Sequence, residues 1–186
     1  MNREKALALI HEFIHNENLI RHMLAVAAAM REYALFFNED PNEWELAGLL
    51  HDFDWEIHPN METHPQEGAP ILRERGVSEK IVRCVLSHAD HTGISRETTM
   101  EKALFACDEI TGLITAVTLV RPSRSIHDVT VKSVKNKWND HRFAANVNRE
   151  EITVAANELG VDLWEHVGLV IQSMQHIAPD LGLQGL

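Results

Sequence analysis

Five ionisable side chains fall where helical periodicity expects an apolar residue. His22 shares a stripe with Leu19, Val26 and Met30. His51 and Asp52 end a helix whose inner face is Ala47, Leu49 and Leu50. His88 follows Ile81 and Val85 at offsets of seven and three, and Asp108 follows Leu104 by four and precedes Gly112. Any one of these, taken alone, fits an ordinary core residue satisfied by its neighbours. Five together pose an electrostatic problem. Burying a carboxylate without a partner is costly, and the two aspartates have no nearby Lys or Arg to neutralise them. A divalent cation resolves the problem, because neutral imidazole nitrogen and carboxylate oxygen are its natural ligands.

The chemistry requires helices to carry it, and the pattern supplies them. Apolar spacing predicts a first helix over 3–15 and a second from Asn18, as its cap, to about Phe37. Asp40-Pro41 marks an N-cap with proline at the first helical position, opening a helix to about Asp52. Residues 53–63 read as a loop, and His64-Pro65 opens a helix through Arg75, closed by Gly76. Ser78 caps a short helix holding Ile81, Val82, Val85 and Leu86. Further helices are expected over 99–119, 126–138, 148–159 and 162–177. Val117-Thr118-Leu119-Val120 is the only strand-like run, too short for a sheet. The reading is all-α: one compact domain over 1–186, a bundle of eight to ten helices.

The order His22, His51-Asp52, Asp108 resembles the H…HD…D ligand set of the HD superfamily of metal-dependent phosphohydrolases. Leu49-Leu50-His51-Asp52, His64-Pro65-Gln66-Glu67-Gly68-Ala69, Ile81 through His88, and Ala106-Cys107-Asp108 are similar to the HDIG-type branch, over about residues 18–112. The resemblance implies a metal-binding core over about 18–116 and a C-terminal helical extension over about 121–180. By the same likeness His22, His51, Asp52 and Asp108 bind a first metal. His64 and His88 add a second in binuclear members, with Asp52 bridging; alternatively, His64 is an N-cap imidazole before Pro65. Two departures stand out: Phe53-Asp54 replaces the Gly-Lys that often follows HD, and the fourth block reads His88-Ala89 with His91 three residues on.

The implied reaction is cleavage of a phosphomonoester or phosphodiester of a small soluble metabolite, nucleotides foremost, by attack of metal-bound hydroxide. One or two divalent ions are expected, and Mn, Fe, Co, Ni, Zn and Mg are not distinguished by this ligand mix. Asp52, Asp54 and Glu56 are the expected catalytic carboxylates. A hydrated acidic loop is the alternative for the last two. Two rival functions use the same site: a di-iron oxygenase, and a non-catalytic domain whose metal only stabilises the fold.

Charge is unevenly spread. The chain carries −11 overall, which argues against general nucleic-acid or anionic-membrane binding. Residues 121–149 nevertheless hold seven Lys and Arg against two Asp, leaving the remainder at −16. Arg121, Arg124, Lys132 and Lys135 are therefore expected to grip substrate phosphate; the competing account is a solvated helix face. There are twelve histidines against one tyrosine. Of these, His58, His127, His141, His166 and His176 read as surface or helix-end residues. Phe36, Phe37, Trp44, Trp55 and Trp138 either stack a base or fill the core. No apolar run approaches the roughly 20 residues of a membrane span, and the first residues lack a signal peptide's hydrophobic stretch. Cys84 and Cys107 read as reduced core thiols, and the expected compartment is the cytoplasm. The C-terminal helices offer a face for a homodimer.

Overall fold

A computed structural model describes residues 1–186 as ten α-helices without a named strand. They are α1 (Arg3–Phe13), α2 (Glu17–Phe36), α3 (Pro41–Leu50), α4 (Gly68–Glu74), α5 (Glu79–Ser87), α6 (Thr99–Leu119), α7 (Val131–Trp138), α8 (Arg149–Leu159), α9 (Leu163–His176) and α10 (Ala178–Leu181). Short 3-10 turns at Asp90–Thr92 and Ile126–Asp128 join them. The fold is all-α, and no helix is long and apolar enough to cross a membrane.

Long α2 and α6 form the centre. Helix α2 packs on α3, α6, α9 and α10, while α6 also receives α5, α7 and α8. A single cluster of 49 buried apolar residues runs through these contacts, so the helices that carry His22 and Asp108 are also those most deeply set in the core. The α2–α3 contact depends on Gly48. A Cβ there would meet the Ala27 Cα at 2.6 Å, so only glycine lets the two backbones approach closely enough to bring His22 and His51 together.

Caps fix several boundaries. Asp40 accepts the Asn42 N–H with Pro41 at the first position, and Thr98 with Glu101 forms a reciprocal capping box at α6. Elsewhere the structure corrects the expected limits. Asn16, not Asn18, caps α2, and Ser78 stands at the start of α5 without a side-chain cap bond. The His64-Pro65 peptide is cis and α4 begins only at Gly68. The helix expected over 126–138 is divided, because Thr130 caps α7 through Ser133 and so starts a new helix. The run Val117–Leu119 finishes α6 instead of forming a strand, its branched side chains packing within the bundle.

Candidate metal centre

Four imidazoles are held by their Nδ1 atoms and turned toward one another by their Nε2 atoms. His51, following α3, donates Nδ1–H to the Gly48 carbonyl at 2.8 Å. His88, following α5, does the same to Val85 at 2.5 Å. His64 Nδ1 lies 2.8 Å from Asp54 Oδ1. On α6, Thr111 gives its hydroxyl hydrogen to the Asp108 carbonyl, leaving Oγ1 to accept from His22 Nδ1–H at 3.3 Å. Acceptors of this kind select the tautomer and ring orientation that a ligating imidazole needs.

The free Nε2 atoms gather into two groups that share one carboxylate. His22 and His51 Nε2 lie 3.2 Å apart, with Asp108 Oδ1 at 2.9 and 3.6 Å from them. His64 and His88 Nε2 lie 3.4 Å apart. Asp52 stands between the pairs. Its Oδ2 is 3.8 Å from His22 and 3.5 Å from His51, and its Oδ1 is 3.3 Å from His64 and 3.6 Å from His88. In each triad, His22–His51–Asp108 and Asp52–His64–His88, the ligand atoms lie within 4.8 Å of one another.

This donor set fits a divalent cation. With every Nδ1 carrying its hydrogen, the neutral rings offer only lone pairs at Nε2, and the carboxylates add more. Acceptors this close repel unless a positive charge sits among them. Without metal, protons supply that charge. Burial alone would lower the His51 pKa, but Asp52 and Asp108 outweigh it and raise it. The same carboxylate pull lifts His88 against burial, and Asp52 with Asp54 lifts His64 to about 9. Burial would raise the two carboxyls, yet facing imidazoles bring Asp52 and Asp108 below the usual carboxylate range.

The triads open on a cavity of roughly 490 Å³. Trp55, Met61, Phe105 and Val147 supply apolar surface, and Asn146, Glu109 and Glu151 supply polar groups. Burial and the neighbouring Asp108 push Glu109 up to about 7. His91, another lining residue, binds the His64 carbonyl through Nε2 at 2.7 Å. No Lys or Arg lines this cavity.

Other expected site residues lie elsewhere. Asp54 is fully buried; it faces His64, not the cavity, and orients that ring instead of activating water. Gly68 makes room for it, since a Cβ there would stand 2.5 Å from the Asp54 carboxyl carbon. Glu56 accepts the His15 and Asn16 backbone N–H groups at 2.6 to 3.1 Å. It thus closes the approach to α2 and leaves the cavity unattended. Arg121, Arg124, Lys132 and Lys135 do not line the cavity: Arg121 reaches Ser133 and Lys135 covers Trp164. Following the Asp108 block in the chain does not bring them to it, because α6 continues eleven residues past Asp108 before the chain turns.

The family model for the HD domain matches residues 19–113, which carry both triads. The chain belongs to the HD domain family. Ribonuclease Y of Opitutus terrae is 29% identical over 99 residues, 53% of this chain and 18% of that protein. The present chain thus corresponds to under a fifth of that relative's length. No solved structure matches. The HD match ends at 113, so Asn146, Val147 and Glu151 in the cavity wall lie beyond it. Nothing in the sequence pattern marks these wall residues, for Asn146 and Val147 sit in the irregular stretch before α8 and Glu151 in its hydrophilic first turn.

Proposed function

We propose that this HD domain protein is a metal-dependent phosphohydrolase that cleaves a phosphomonoester or phosphodiester of a small metabolite in the cytoplasm. Nucleotides are the first class to examine, and the distant likeness to a ribonuclease is a reason to test phosphodiesters beside monoesters. The observation carrying this reading is Asp52, whose two oxygens face separate groups of imidazoles. His22, His51, Asp108 and Asp52 Oδ2 would hold one ion; His64, His88 and Asp52 Oδ1 would hold a second. A divalent ion held there lowers the pKa of coordinated water and polarises a phosphoryl oxygen.

The chain's own residues do the positioning. Asp54 and the Gly48 and Val85 carbonyls fix three rings, so that the ligand atoms need little rearrangement. Trp55, Met61 and Val147 offer apolar surface to the organic part of an ester. Because no Lys or Arg lines the cavity, the phosphate is drawn to the ligand cluster and nowhere else within it.

The test is a panel of phosphate monoesters and diesters, nucleotides included, screened with Mn, Fe, Co, Ni, Zn and Mg, with His51→Ala as control. Turnover that needs a divalent ion and vanishes in the control is expected. Oxygen uptake linked to a di-iron signal, without ester cleavage, would favour the oxygenase. A chain that unfolds on chelation and cleaves nothing would be a structural metal protein.

A further inference from the structure

The first cavity has a neighbour at His22. A second cavity of roughly 370 Å³ shares His22 and Gly112 with it and continues between α2 and α6 toward the C-terminal turn. Its α6 side is a single helical face: Gly112, Thr115 and Leu119 follow Asp108 at steps of four, three and four. Its α2 side is Asn18, Arg21 and His22, again one face. Gly112 leaves the junction open, since a Cβ placed there would find only Val147 Cγ2, at 3.9 Å.

The two cavities differ in charge. Five carboxylates and no Lys or Arg line the first; one Arg, Arg21, and no carboxylate line the second. Arg21 is exposed, lines the groove and makes no ion pair or side-chain hydrogen bond within the chain, so its donors are free to bind a ligand. Its guanidinium carbon would lie 3.6 Å from a Cβ on Gly182, which sets it beside the turn before Leu183. That turn is itself fastened, because the Leu183 carbonyl accepts the Ile126 N–H at 2.9 Å.

We propose that this second cavity is a distal subsite for an anionic group. The substrate is then a phosphate ester whose organic part carries a second phosphate or carboxylate. Asp108 and Thr115 are seven positions apart on α6, which places that group roughly 10 Å from the reacting phosphorus at the helical rise of about 1.5 Å per residue. Arg21 binds it through paired N–H donors, and Gly112 lets the connecting chain pass. This inference rests on the phosphohydrolase reading above.

The probes are hexane-1,6-diol bisphosphate, which spans that separation, and hexyl phosphate, which has one anionic end. Calorimetry on the metal-loaded protein measures binding of both, and phosphate release measures turnover. The bisphosphate is expected to bind about tenfold more tightly, the scale of a charge-assisted hydrogen-bonded pair. Arg21→Ala should erase that preference, Arg21→Lys should keep part of it, and Gly112→Leu should erase it by blocking the passage with Arg21 still present. Equal binding of the two probes by the native protein, or a preference that survives Arg21→Ala, overturns the subsite. If the preference appears and disappears as described but neither ester is cleaved with any metal, the subsite stands and the hydrolytic reading fails.

Discussion

The imidazole cluster and the basic segment after α6 are both rich in charge, yet they are built in opposite ways. In the cluster each ring is tied at Nδ1 by a carbonyl, a carboxylate or a hydroxyl, and His51 and His88 are buried. In the segment 121–142 most of the cations reach outward, Arg121 being the exception with its Nε buried. Arg124, Lys132 and Lys135 are exposed, and Lys135 and Lys137 rest on the rings of Trp164 and Phe143. Buried ionisable groups have to be organised by the fold, because leaving them unpaired is costly. Exposed ones carry no such demand, and the contrast predicts a steep gradient of mutational effect from one region to the other.

The largest effect is expected at the shared carboxylate. Asp52→Ala removes a ligand from both groups, so metal content by elemental analysis should collapse and phosphate-ester turnover should vanish. Retention of full metal stoichiometry would break the two-group description. Next comes Asp54→Ala, which leaves every ligand atom in place and frees only the His64 ring. Losses of about 10- to 100-fold in metal affinity are expected for such a supporting residue, read by competition with a chelator.

His166 sharpens the comparison from a third position. It is buried; its Nδ1 accepts from the Tyr33 hydroxyl at 2.6 Å and its Nε2–H donates to the Ala106 carbonyl at 2.8 Å. Burial depresses its pKa to about 4 against the weaker pull of that carbonyl. A histidine depressed on folding binds protons better in the unfolded chain, so it contributes fully above about pH 6.5 and loses that contribution as pH falls toward 4. The native protein should therefore lose about 2 kcal/mol relative to His166→Phe between pH 7 and pH 5, measured by urea unfolding of both. The cluster runs the other way. With His64 raised to about 9, the metal-free protein should lose stability as pH rises from about 6.5 through 9, a trend that added metal should suppress.

The smallest effect belongs to the basic segment. Lys132→Ala with Lys135→Ala should change turnover less than about twofold, in keeping with exposed charges distant from a reaction. A tenfold loss would return this segment to the site.

How much of this was legible in the sequence follows from the same contrast. His22, His51, Asp52, His88 and Asp108 could be found because a polar residue on an apolar stripe is a visible contradiction, and burial makes it a forced one. His166 offers the same signal, sharing a face with Val170 and Met174, yet its position near the start of a helix reads as surface or helix end. Asp54 lies in a run of turns with no periodicity, so its burial behind Gly68 depends on contacts that no local pattern encodes. Glu56 sits in that same run, and only the fold reveals that it faces the start of α2. Arg121 and its neighbours are expected at the site from their local excess of positive charge, and charge says nothing of placement once a helix of 21 residues has to be traversed.

The bond from His166 to Ala106 bears on where this molecule could be cut. The recognised HD segment stops at residue 113, but the carbonyl two positions before Asp108 leans on an imidazole from α9, which also receives the Tyr33 hydroxyl of α2. An excised 19–113 fragment would strip a brace from both of the long helices that hold the ligands and bare the apolar faces that α8 and α9 cover. The matched segment thus ends short of contacts that brace it, and the later helices act as the keel of the half that carries the imidazole cluster.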